Sequence, residues 1–290
     1  MNTKYLTKNS IIRMNYIKNI EIKPFIINEN LKTIYEYLKI KYNEDVKYNV
    51  LNNYNYKGIE QWLYENDMHN KIINSKMYII NDLKIIIYNG ELTKEFIKLI
   101  NIVNELFKIL TKIEKKIEIH YYRNNKKRIY KGNFDNRKKE AFTISGQCFD
   151  NKIYVTRKEE IIKLIIHELI HCYNLDRRNN KFYEAIAEYY GSLINSMLIS
   201  IRTNIELQQI LDIEKRYSKY IVYKIEGLED KNLKKHLKYN YPYKYYYVYK
   251  MYFYNNNLDI FSKIRINKMK IKKIIDDNIN YNLSCLELDV

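Results

Sequence analysis

Two histidines and a glutamate stand four and one residues apart in the run Ile165-Ile166-His167-Glu168-Leu169-Ile170-His171. On a helix, residues four apart lie one above the other on the same face. His167 and His171 would therefore aim two imidazoles at one point. Neutral imidazoles so placed suit a tetrahedral Zn2+ ion. Glu168 would project beside them, placed to take a proton from a water held there. The chain has five histidines, His69, His120, His167, His171 and His236, so such a pair with an intervening Glu is unexpected by chance.

The flanks favour a buried helix. Thr156-Arg157-Lys158-Glu159 reads as a capping box, with Glu three residues after Thr, and predicts a helix start there. Ile162, Leu164, Ile165, Ile166, Leu169 and Ile170 are spread round the helix rather than along one stripe, as in a helix buried on most sides. Imidazoles and a carboxylate inside a protein are costly unless partnered, and a metal ion would partner them.

A catalytic zinc keeps three protein ligands and one open position. The pattern that puts glycine three residues and histidine six residues after the second histidine is excluded, because those positions are Asn174 and Arg177. Glu184 is the favoured third ligand. It lies in Phe182-Tyr183-Glu184-Ala185-Ile186-Ala187-Glu188-Tyr189-Tyr190-Gly191, where Ala185, Ile186, Tyr189, Leu193, Ile194 and Met197 recur at helical spacing. The polar linker 174–180 permits two antiparallel helices. Glu188, one turn beyond Glu184, would accept the second N–H of a ligating histidine. Asp176 is the reserve for either role.

His-Glu-x-x-His followed by Glu-Ala-Ile-Ala-Glu-Tyr-Tyr resembles the gluzincins, zinc peptidases whose third ligand is a glutamate on the next helix. The order Ile144-Ser145-Gly146, then Ile153 to Glu160, then the motif is also similar to metallopeptidase homologues encoded by large DNA viruses. The resemblance covers roughly residues 142 to 195, with a shorter gap between His171 and Glu184 than in the best-studied gluzincins. It implies a zincin-like α+β fold: a small mixed sheet packed on a backing helix and the motif helix, with a helical C-terminal part.

The remaining chain supplies such elements. Met77 to Ile80 and Leu83 to Tyr88 read as two strands about Asn81-Asp82. Phe96, Leu99, Ile100, Val103, Leu106, Phe107, Leu110 and Ile113 mark a long amphipathic helix. Ile117 to Tyr121 is a strand, 123–139 a basic loop, and Ala141 to Cys148 pairs with Lys152 to Val155. Leu31 to Ile40 is helical, and Gly58 to Tyr64 is a weaker helix. After Asn195 the pattern is helical to residue 290. We divide the chain into an extension of unclear fold (1–75), a zincin-like catalytic domain (76–200) and a helical Tyr/Lys-rich region (201–290). In a zincin the sheet's edge strand receives an extended substrate through main-chain hydrogen bonds. Ile144, Ser145 and Gly146 are the expected edge, with Gly146 either admitting a substrate backbone or marking a bulge. The run Tyr239 to Tyr254, or His236, would supply an oxyanion-stabilising group, but 32 tyrosines prevent a choice.

Composition narrows the class. The formal charge of +17 suggests polyanions, yet abundant Lys, Asn, Ile and Tyr with scarce Gly and Pro is the mark of AT-rich coding. The lysines are dispersed, so no specific nucleic-acid partner is expected. Three cysteines, Cys148, Cys172 and Cys285, form no spacing framework and favour a reducing compartment, with Cys172 as core. No apolar run is long enough for a membrane span or a secretory signal. The expected protein is cytoplasmic (host cytoplasm if viral). It is expected to be a zinc-dependent metallopeptidase acting on protein or peptide, with His167, His171 and Glu184 on zinc and Glu168 as general base. The alternatives are a basic nucleic-acid-associated protein with structural zinc, and an inactive zincin homologue that only holds peptides.

Overall fold

The computed structural model describes residues 3–52, 74–123, 146–156, 158–177, 182–229, 234, 243–259, 271–275 and 282–290. The architecture is mixed α+β. A six-stranded open sheet has the order β1-β2-β3-β4-β6-β5, with β1 Asn49–Asn52, β2 Ser75–Ile80, β3 Leu83–Tyr88, β4 Ile117–Tyr122, β5 Gly146–Phe149 and β6 Lys152–Val155. Seven α-helices are present among the described residues: α1 Lys8–Tyr16, α2 Glu29–Tyr42, α3 Lys94–Thr111, α4 Ile161–Cys172, α5 Tyr183–Thr203, α6 Leu207–Gly227 and α7 Lys250–Asn255. A π-helical turn, Tyr243–Tyr249, runs directly into α7.

Alternation builds the sheet. Leu83, Ile85 and Ile87 on β3, Ile117 and Ile119 on β4, and Ile153 and Val155 on β6 share the face that joins the helical core. The β2–β3 hairpin turns at Asn81, whose φ of 51° is left-handed, a conformation asparagine tolerates. β3 and β4 are parallel, so a crossover is required, and α3 supplies it. Thr93 caps α3 by accepting the amide of Phe96, and its apolar stripe from Phe96 to Phe107 is buried. β4 and β6 are also parallel, whereas β5 turns back on β6 through Asp150 and Asn151, both left-handed. This leaves β5 at the sheet edge, packed against α4.

Four expectations need correction. The capping box at Thr156–Glu159 does not start the motif helix. The helix begins at Ile161 behind Glu160, whose φ is 58° and whose side chain makes no cap bond within the helix. Instead Glu160 accepts the amides of Leu283 and Ser284 (3.2 and 2.6 Å) and donates its own amide to Glu287 (2.6 Å). Tertiary partners displaced the local cap. Second, the chain is not helical to the end: residues 282–290 are irregular, and Leu288 bridges to Leu6. Third, Cys172 is not a free core thiol, since it forms a disulfide with Cys148 across 24 residues of sequence. The β5–β6 hairpin brings Cys148 back over the end of α4, a proximity that spacing along the chain does not reveal. Disulfides persist in oxidising surroundings, so the cysteines no longer favour a reducing compartment. Fourth, the residues before 76 do not all stand apart from the sheet, because β1 is one of its strands and Leu31, Ile34 and Leu38 of α2 belong to the same core as α4 and α5. The proposed helix at Gly58–Tyr64 and most of the basic loop lie outside the described residues.

Alkylation under denaturing conditions should add one label to the unreduced chain, at Cys285, and three after reduction. Cys148→Ser should lower stability by about 3 kcal/mol, the loop-closure value for a crosslink of this span, read from urea unfolding.

Candidate metal centre

The crossing of α4 and α5 builds the site. α4 ends in a Schellman turn: the Leu175 amide donates to the Ile170 carbonyl and the Asn174 amide to the His171 carbonyl, each at 3.0 Å. Asn174 takes the left-handed conformation that this turn requires, with φ of 55°. The reversal returns Asp176 to the helix it just left. Its Oδ2 lies 2.7 Å from His171 Nδ1. The chain then re-enters as α5, placing Glu184 in the first turn and Glu188 one turn on. Gly191 faces the backbone of His167, where an added Cβ would stand 3.6 Å from His167 Cα and N.

The structure brings together His167, His171 and Glu184. His171 Nε2 lies 3.0 Å from His167 Nε2, and Glu184 Oε2 lies 3.4 Å from His167 Nε2 and 3.6 Å from His171 Nε2. A tetrahedral zinc bound at about 2.0–2.1 Å sets its ligand atoms about 3.3 Å apart. The three donor atoms already have nearly that spacing. Their outer nitrogens are engaged: His171 Nδ1 with Asp176, and His167 Nδ1 with Glu188 Oε2 at 3.4 Å. Both contacts leave Nε2 as the atom facing the shared centre.

Charge supports the same fit. Glu168, Asp176 and Glu188 are buried and Glu184 nearly so, while Lys163 and Lys250 are the buried lysines that contact this group. Among the described residues, these four carboxylates exceed the two ammonium groups they face by two charges. Two protonated histidines or one divalent cation would balance them. Without a cation the surrounding carboxylates favour the protonated form of each histidine. Burial opposes protonation of His171, but Asp176 and Glu184 outweigh it and push its pKa up to about 10. His167 is raised too, as Glu184 and Glu188 overcome its burial. Burial disfavours the Glu184 anion, yet the two histidines hold its carboxyl well below the usual range. Glu188 is likewise held low, against burial, by Lys163 and Lys250 and then His167.

Glu168 sits behind the edge strand. A Cβ built on Gly146 would come within 2.8 Å of Glu168 Oε1 and 3.0 Å of its Cγ. Gly146 is thus where β5 passes over the carboxylate, and any side chain there would displace it. Ile144 and Ser145 of the expected edge lie outside the described residues, as do His69 and His236.

Three participants escaped sequence reasoning. Tyr246 donates its phenol to Glu184 Oε2 at 3.1 Å, and its ring meets the His167 ring edge-on at 5.9 Å. Burial and then Glu184, Glu168 and Glu188 raise its pKa well above the ordinary value, so it remains a neutral donor. One tyrosine in a tyrosine run carries no sequence signal. Lys163 and Lys250 both reach Glu188 Oε1. Lys163 offered a clue: a lysine four residues before His167 in an otherwise apolar helix.

His171 gives a pH dependence. With divalent cations chelated, its folded pKa lies above the unfolded value of about 6.5. Its contribution to stability is therefore complete below that pH and lost as pH rises through about 10. An imidazole NMR titration should find His171 still protonated at pH 8, and Asp176→Asn should move its midpoint down.

No family model matches this chain, and no solved structure does. The uncharacterized protein R210 of Acanthamoeba polyphaga mimivirus is 32% identical to it across 121 aligned positions, covering 32% of this chain and 32% of that protein. The match spans about a third of that relative's length.

Proposed function

We propose that the protein is a zinc-dependent metallopeptidase of zincin-like fold, with His167, His171 and Glu184 holding Zn2+ and Glu168 as general base. The observation that carries this reading is the convergence of the two Nε2 atoms and Glu184 Oε2 at 3.0–3.6 Å, beside a buried glutamate. Zinc, when bound, supplies a Lewis acid that acidifies a water and polarises a carbonyl. Glu168 takes the proton of the attacking water as the C–O bond forms, then delivers it to the amine as the C–N bond breaks. Asp176 and Glu188 fix the histidine tautomers. The Tyr246 phenol is placed to donate to an oxygen at the centre once Glu184 is committed to the metal. An extended peptide would add to the free side of β5, its main chain passing Gly146 and so meeting Glu168. The mixed sheet backed by α3 and α4 supports the zincin comparison. The viral relative supports a viral source and, with it, work in the host cytoplasm, although the Cys148–Cys172 bond weighs against a strongly reducing one.

The purified, tag-free protein should carry about one zinc per chain, strongly reduced in Glu184→Ala. A wild type that stays metal-free with zinc supplied would end this reading. Affinity should rise with pH, because protons leave the histidines as the metal binds. Glu168→Gln should keep zinc and abolish hydrolysis of a denatured protein substrate. Gly146→Ala should keep zinc and lower turnover by about ten- to a hundredfold, the scale for a misplaced catalytic group.

A further inference from the structure

Glu188 divides its two oxygens between two tasks. Oε2 faces His167 Nδ1 at 3.4 Å. Oε1 receives both Lys163 Nζ and Lys250 Nζ, the latter at 3.0 Å. The three side chains are only 1–3% exposed, so these charges sit wholly inside the protein. Fixing one histidine tautomer needs a single carboxylate. Two ammonium groups on the far oxygen exceed that need, and each is expensive to bury. What they add is orientation. The terminal torsion of a glutamate is broad and nearly two-fold, so a carboxylate held only by an imidazole is free to turn. Held at Oε1 from two directions, it keeps Oε2 on His167.

The two lysines differ in origin. Lys163 stands one turn before His167 on α4 itself, so it moves with the histidine. Lys250 comes from α7, and its Nζ also donates to the Leu283 carbonyl. That carbonyl belongs to a clamped segment. The amides of Leu283 and Ser284 go to Glu160, and those of Cys285 and Leu286 go to Glu214 at 3.0 and 2.8 Å. Buried Arg13 donates to the Ser284 carbonyl at 3.1 Å. Lys250 therefore joins a rigid anchor to the carboxylate that steers a proposed ligand.

We propose that Lys250 is a positioning residue of the metal centre, acting through Glu188 to hold His167 in its ligating orientation and coupling that hold to the segment 282–290. The proposal rests on the zinc reading above. It makes metal affinity depend on a side chain that touches neither the metal nor any ligand to it.

The test is a double-mutant cycle on zinc affinity, measured by competition with a chromophoric chelator at fixed pH. The far-UV circular dichroism of each metal-free variant is recorded alongside. Lys250→Met is expected to weaken zinc about tenfold, the scale for outer partners of a metal-binding histidine, with Lys250→Arg recovering most of the loss. In a Glu188→Gln background, Lys250→Met is expected to change affinity less than twofold. Lys224→Met removes a buried lysine from α6 and is expected to alter thermal stability without altering zinc affinity. An affinity unchanged in Lys250→Met, or a loss equally large in the Glu188→Gln background, would overturn the proposal. Should Lys250→Met fail to fold, Lys163→Met probes the same oxygen and is judged by the same two outcomes. A wild type that takes up no zinc removes the metallopeptidase reading and this one with it, and is told apart because it is measured first.

Discussion

Burying charge is the constraint on which this structure turns. α4 is apolar on nearly every side, yet it carries Lys163, His167, Glu168 and His171 into the interior. Unpartnered, these groups would cost more than the packing of the helix gains. Every neighbouring element answers that demand. The Schellman turn returns Asp176 to His171. α5 offers two glutamates one turn apart. The π-helical turn carries Tyr246 to Glu184, and α7 brings Lys250 to Glu188. The sheet and α3 seal the other faces with aliphatic side chains. The arrangement is thus specified as much by electrostatic balance as by hydrophobic burial.

The balance is also what gives the site chemical potential. Two imidazoles face each other at 3.0 Å, a separation that suits a shared cation far better than two positive rings. Raised histidine pKa values and lowered glutamate ones are two views of one coupled cluster. Glu168 acts on the same cluster, its charge helping to raise both histidines. It is buried beside the converging trio and lies against Gly146, the one position without a side chain among the described strands.

Much of this was legible in sequence because it is periodic or local. The β2–β3 hairpin, α3 and β4 follow from alternation and from 3.6-residue spacing, and their predicted limits fall within a few residues of those observed. His167 and His171 share a face because four residues make about one turn. Glu184 and Glu188 followed from the same rule once a reversal was assumed. What failed was non-local. Thr156 and Glu159 satisfy a capping pattern, but the helix start is set by Leu283, Ser284 and Glu287, more than a hundred residues away. Cys148 and Cys172 look unrelated until the hairpin folds over α4. Tyr246 could not be picked from its neighbours because its distinction is position alone.

The carboxylate clamp on residues 282–290 carries a consequence for the order of assembly. Glu160 sits at the first turn of α4, and its partners Leu283 and Ser284 lie 123 and 124 residues further along. Contacts of such separation close slowly and only after the intervening chain exists. On a ribosome, then, the motif helix emerges before the segment that holds Glu160, and that hold forms only once synthesis has passed residue 287. Thr7, near the other end, waits for the same residue, as its amide donates to the Glu287 carbonyl. The motif helix and the segment at Thr7 are thereby tied to one late-made stretch, a constraint that comes from topology alone.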